Sequence, residues 1–218
     1  MKFYELQRNP IKITGSMGSK KTDEMMIWTA EEFDSFISCV ENKFTSVTMF
    51  NILFWTGIRS GELLALTGED FNFEKKELSI TKTYSRIKGV DYINPPKTPK
   101  GNRVIMLDDE LCDFVKRYIS MIYDYNSSQR LFTVTKHYLK HEMQRGCKKS
   151  GIEEIRVHDL RHSHVSFLIE QNFSPLLISE RVGHEDIQTT LQTYSHLYPN
   201  KQSEVVVAIE NFKKKKKK

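Results

Sequence analysis

A chain of 218 residues that is 39% hydrophobic and 28% charged has the composition of a globular protein with a core of its own. Nothing in it approaches the roughly 18 consecutive apolar residues of a membrane span, and residues 1–10 lack the apolar stretch of a secretory signal. The net charge of +5 is no argument for nucleic acid, because Lys213–Lys218 supplies six of the 33 basic residues and the 27 that remain meet 28 acidic ones; a basic surface would have to come from spatial sorting.

Residues 1–26 read as the remnant of a preceding domain followed by a Gly/Ser/Lys-rich linker. Thr29 and Glu32 have the spacing of a capping box, and Phe33, Phe36, Ile37 and Val40 follow on one helical face. A second helix, apolar all round from about Val47 to Trp55, breaks at Gly57. Ser60 is placed to cap a short helix, SGELLAL, that stops near Gly68. The period then changes. ELSITKTY (77–84), VDYINPP (90–96) and NRVIML (102–107) are strand candidates joined by turns, which implies a three-stranded antiparallel sheet on a helical body.

Leu111, Phe114, Val115, Tyr118, Ile119 and Ile122 mark an amphipathic helix, and another runs from Thr135 to about Gly151. The stretch HDLRHSH (158–164) opens a helix reaching about Asn172. Ser174 and Pro175 supply an N-cap and first-turn proline for the next, which ends at Gly183. Asp186 caps one that reaches Tyr194. Val205, Ala208, Ile209 and Phe212 form a narrow apolar stripe on a short terminal helix before the lysine tail. Cys39, Cys112 and Cys147 are far apart and form no CxxC, which speaks against a zinc ribbon or a disulfide framework and for reduced thiols.

HDLRHSH admits two chemistries. His158 and His162 share a helical face, as in a zinc-binding HExxH, but Asp159 is shorter than the glutamate that acts as base there. His162 and His164 cannot both face one ion from one helix, so they read as packed or half-exposed side chains. His137 and His141 repeat the spacing and read as surface. The alternative is a grip on phosphate. Arg161 falls near His158 on the helix, and a guanidinium holds two phosphate oxygens at once. Arg59, between a glycine break and a helix start in TGIRSGELLAL, also suits an anion. VGHEDIQTTLQTYSH adds Gly183-His184 at a helix end and Tyr194 ten residues later.

Taken jointly, Arg59, His158 and Arg161 in HDLRH, His184 and Tyr194 resemble in order and spacing the tyrosine recombinase, or phage integrase, family over about residues 27–200. The flavour is that of integrases from conjugative transposons and Gram-positive phages. The resemblance implies a mostly helical α+β catalytic domain. It also implies a lysine on a turn of the small sheet, and NPPKTPKGNRVIML offers Lys97, with Lys100 and Lys88 as rivals.

The implied reaction is site-specific cleavage and rejoining of double-stranded DNA through a 3′-phosphotyrosyl bond, with no cofactor and no metal. Tyr194 is the nucleophile, and His158 can accept its proton. Arg59, Arg161 and His184 face the charge that builds on the phosphate oxygens. Lys97 protonates the leaving 5′-oxygen, and Glu62 orients Arg59. The family's habits further imply assembly of four copies on DNA, residues 201–218 docking on a neighbour, accessory DNA-bending or excision proteins, and residence in the bacterial cytoplasm. The competing readings are a type IB topoisomerase-like DNA-relaxing enzyme, a DNA-binding module without catalysis, and a metal-dependent phosphoesterase.

Overall fold

The structure is a computed structural model that describes residues 25–198 together with Val206, Val207, Ile209, Glu210, Phe212 and Lys213. Those last six are helical and exposed. The expected linker before Met25, the stripe positions Val205 and Ala208, and the end of the lysine tail lie outside the described residues.

The body is built around helix α2 (Phe44–Thr56), buried without interruption from Ser46 to Phe54. A helix with no polar stripe has no face for water and takes the centre. Its hydroxyls are satisfied within the protein: Ser46 donates to Glu142 Oε2 at 2.9 Å and Thr48 to the Phe44 carbonyl at 2.9 Å. The helix therefore begins three residues before the apolar run suggested. Helix α1 (Ala30–Val40) carries the expected Thr29–Glu32 capping box and lays Phe33 flat on Phe54, with ring centroids 4.0 Å apart. Around these pack the short α3 (Ser60–Leu63), α4 (Asp109–Met121) and α5 (Lys136–Ser150).

Strands β1 (Phe71–Asn72), β2 (Glu77–Ile80) and β5 (Arg103–Met106) form a three-stranded antiparallel sheet in the order β1-β2-β5, with Leu78 opposite Ile105. Strands β3 (Thr83–Ile87) and β4 (Val90–Asn94) form a separate hairpin. A three-stranded sheet is thus present, but not from the expected trio, because 77–84 divides between two sheets. The cause lies at Lys82. Its ammonium reaches back to Asp70 Oδ2 at 2.9 Å and Thr67 Oγ1 at 3.0 Å, which draws the chain out of the first sheet after Ile80.

Helices α6 (Asp159–Glu170), α7 (Pro175–Val182) and α8 (Ile187–Tyr194) complete the fold. They enclose a second, smaller core of Val165, Ile169, Ile178, Val182 and Tyr194. Helix α6 packs on α2, and α7 on β5, so HDLRHSH lies where the two cores meet.

Candidate active site

The site begins where α2 ends. Gly57 has φ 66°, and a Cβ there would lie 2.6 Å from His164 Cδ2; glycine meets both demands at once. Its carbonyl accepts a hydrogen bond from Arg161 Nη1 at 2.8 Å. Two residues on, Arg59 occupies the N-cap of α3, and Ser60, expected there, is instead the first helical residue. No hydroxyl cap is needed, because Glu62 Oε2 accepts from the Arg59 backbone N–H at 2.8 Å.

Glu62 is the hub. Its carboxylate also accepts from Arg59 Nη1 at 2.8 Å and from Arg103 Nη1 and Nη2 at 3.2 and 2.9 Å. Burial alone would raise its pKa, but hydrogen bonding and charge from Arg103, with help from Arg59, hold it below the ordinary value. The Arg103 side chain is largely covered and also donates through Nε to the Arg181 carbonyl at 2.8 Å. In the sequence it is only a basic residue opening a strand, and nothing there marks it as part of this cluster. Arg59 Nη2 completes the link by donating to the Gly183 carbonyl at 3.2 Å. Gly183 ends α7 with φ 69°, and a Cβ on it would meet the Lys100 carbonyl at 2.9 Å and Arg103 Cδ at 3.0 Å.

Arg161 is 3% exposed. Its Nη1 is taken by Gly57, while its buried Nη2 has no hydrogen-bond partner in the structure. Burial and then the nearby Arg59 charge lower its pKa to about 9, so it is cationic at neutral pH. A buried donor of this kind is costly unless something accepts from it. His184 Nδ1 lies 2.8 Å from Thr190 Oγ1. Burial, Arg161 and Arg59 bring its pKa down to about 4, so the ring is neutral at pH 7. When Thr190 donates to Nδ1, the proton sits on Nε2, where it can be given to an anion. His158 holds the N-cap position of α6 at the solvent edge. Partial burial and the Arg161 charge lower its pKa as well.

Tyr194 is 1% exposed, and its hydroxyl meets His162 Nδ1. Burial pushes the phenol up to about 12, although Arg161 pulls the other way. His162 is therefore more than a packed, half-exposed ring: it is the side chain that touches the tyrosine oxygen. Burial and His158 lower its pKa to about 4. His164 is packed, as expected, and accepts from Arg181 Nε at 3.1 Å.

Arg59, Arg161, His184 and Tyr194 thus converge, with His158 at the rim. Lys97 sits on the exposed loop between β4 and β5, as does Lys100, whose carbonyl touches Gly183; Lys88 forms the β3–β4 turn with φ 50°. His137 and His141 are exposed, their Nε2 atoms 2.9 Å apart. Among the described residues no group of three or more His, Cys, Asp or Glu is arranged to hold a metal.

Residues 27–201, which contain every member of this cluster, match the phage integrase family. The chain belongs to the phage integrase family. Among its relatives, the ICEBs1 integrase of Bacillus subtilis is 30% identical over 94% of this chain and 60% of that protein. The integrase of Staphylococcus phage L54a is 29% identical over 65% of this chain and 45% of its own length. The chain therefore spans about half to three fifths of the length of these two relatives. In fold it resembles the Tn1549 transposon integrase in complex with circular intermediate DNA, with TM-score 0.74 and 24% identity over 88% of this chain and 68% of that one. It also resembles the catalytic domain of bacteriophage HP1 integrase, with TM-score 0.60 and 20% identity over 85% of this chain and 95% of that one.

Proposed function

We propose that this chain is the catalytic part of a site-specific DNA recombinase that cuts and rejoins DNA through a 3′-phosphotyrosyl link, integrating or excising a mobile element. The observation that carries the reading is the convergence of Arg59, the unpartnered Nη2 of Arg161, neutral His184 and the Tyr194 hydroxyl from four separate segments. Guanidiniums aimed where negative charge develops lower the barrier to displacement at phosphorus without a metal. Arg59 and Arg161 hold the two non-bridging oxygens, His184 donates a further hydrogen bond through Nε2, and His158 closes the rim. Tyr194 Oη bonds to phosphorus as the bond to the 5′-oxygen breaks, and Lys97 gives that oxygen its proton. The covalent link keeps the energy of the phosphodiester, so a 5′-hydroxyl from a partner strand can reverse the step.

Exchange between two duplexes assembles four copies, residues 201–218 of each docking on a neighbour, with DNA-bending or excision proteins as accessories. Such work belongs to the bacterial cytoplasm; no helix among the described residues is long and apolar enough to cross a membrane.

The test is covalent trapping on a pool of nicked duplexes randomised over the central positions, in excess EDTA. The wild-type chain forms an adduct that survives denaturation, and Tyr194→Phe forms none. No adduct with wild type, or an equal one with Tyr194→Phe, refutes the reading.

A further inference from the structure

Resting on that reading, we infer that His162, rather than His158, is the base that takes the Tyr194 proton, with Asp159 behind it in a Tyr194–His162–Asp159 series. The Tyr194 hydroxyl is buried, and its polar contact in the structure is His162 Nδ1. The other nitrogen of that ring, Nε2, faces Asp159 Oδ1 at 4.0 Å. A carboxylate on that side favours the tautomer with hydrogen on Nε2, which leaves the Nδ1 lone pair bare toward the phenol. Asp159 is itself fixed: it is buried, its Oδ2 accepts from Arg156 N and Nε at 3.0 and 2.9 Å, and Oδ1, the oxygen facing His162, accepts from Arg156 Nη2 at 2.9 Å. The other groups that bear on His162 are cationic or neutral. They are His158, its ring 5.2 Å away and nearly perpendicular, Arg161 on the same helix, and Arg156 just before it. All of them keep His162 neutral and able to accept until Tyr194 reacts.

A phenol with a pKa of about 12 is ionised in only about one molecule in 10⁵ at pH 7, so reaction through free phenolate alone would be slow. In the step proposed, the O–H proton moves to His162 Nδ1 while Oη bonds to phosphorus and the bond from phosphorus to the 5′-oxygen breaks. The imidazolium formed is steadied by Asp159, and the departing oxygen takes its proton from the acid assigned above to Lys97. In the rejoining step the attacking 5′-hydroxyl gives its proton back to the Lys97 amine as its oxygen bonds to phosphorus, the bond from phosphorus to Oη breaks, and the proton on His162 Nδ1 returns to Tyr194.

Two measurements decide this. In ¹⁵N NMR of the histidine-labelled chain near neutral pH, without DNA, His162 is expected with Nδ1 bare and Nε2 protonated, and Tyr194→Phe is expected to shift the Nδ1 resonance. A hydrogen on Nδ1 overturns the proposal, because the phenol could then only accept. In single-turnover trapping on the randomised nicked pool, His162→Gln, which keeps a polar contact without a base, is expected to be slower by about 10²- to 10⁴-fold. Its rate is expected to climb about tenfold per pH unit as hydroxide takes over, and added imidazole is expected to restore part of the rate to His162→Gly. Wild-type speed in His162→Gln with an unchanged pH profile overturns the base role. A faster variant overturns it too, and would make His162 a latch on the resting tyrosine. Absence of any adduct with wild type overturns the cleavage reading and the base role together, whatever the tautomer.

Discussion

Removing the carboxylate of Glu62 tests how the cluster is held together. Glu62→Ala deletes the acceptor for both Arg103 amino groups, for Arg59 Nη1 and for the Arg59 backbone N–H. Arg103 is only 6% exposed at its side chain, so its charge is stranded rather than released to water. Breaking a buried pair from one side costs about 3–5 kcal/mol. For a chain of this size that lowers the melting temperature by about 6–20 °C. Glu62→Gln keeps the shape and one acceptor oxygen, and loses about 1.5–3 kcal/mol, the worth of a charged hydrogen bond. The pH response gives an independent check. The folded-state pKa of Glu62 lies below its ordinary value, so its contribution is complete above the unfolded value of about 4.3 and is lost as the pH falls through the folded one. Wild type should therefore lose more stability than Glu62→Gln between about pH 5 and pH 3. The assay is thermal and urea unfolding followed by circular dichroism across that range. An alanine variant melting within about 1 °C of wild type would show that the carboxylate does not carry Arg103, and the reasoning would fail.

Three further outcomes follow from other parts of the molecule. Arg161→Lys keeps the charge but puts all its donors on one nitrogen, so it lacks the fork that bonds the Gly57 carbonyl through Nη1 while aiming Nη2 elsewhere; trapping on nicked DNA should fall by about 10²- to 10³-fold with the melting temperature little changed. Gly146→Ala places a Cβ 2.2 Å from Phe36 Cε2, where α1 crosses α5; urea unfolding should show a loss of about 1–3 kcal/mol. The Tyr194 pKa is raised to about 12, so the folded state holds a proton that the unfolded chain releases from about pH 10 upward, and stability falls with pH in that window. Tyr194→Phe should show a shallower alkaline loss, read from unfolding midpoints at pH 9 to 11.

The features legible in the sequence are those set by neighbours along the chain. The Thr29 capping box, the glycine stops at 57, 151 and 183, the proline start at 175 and the all-apolar α2 each depend on a few adjacent residues. The break after Ile80 was hidden because it depends on Asp70, twelve positions before Lys82, being buried within reach of that lysine. Arg103 was hidden for the same reason: its partners Glu62 and Arg181 are 41 residues before it and 78 after it. In HDLRHSH the periodicity puts His158 and His162 on one face without saying which of them α8 will bring Tyr194 against. The answer required the second core, which sets where the end of α8 comes to rest.

The two helix-ending glycines have an electrical consequence. Each lends a carbonyl to one arginine of the site, Gly57 to Arg161 and Gly183 to Arg59, and a carbonyl steers a guanidinium without cancelling it. Glu62 is the carboxylate hydrogen-bonded to Arg59 and Arg103, and Arg161 has no carboxylate of its own in the contacts seen. Among Arg59, Arg103, Arg161 and Glu62 alone, three cations against one anion leave a surplus of two. A phosphodiester at rest carries one negative charge, but the five-coordinate phosphorus passed through during displacement carries two. On the reaction proposed above, these four side chains match the charge of that fleeting species more closely than the charge of the resting diester.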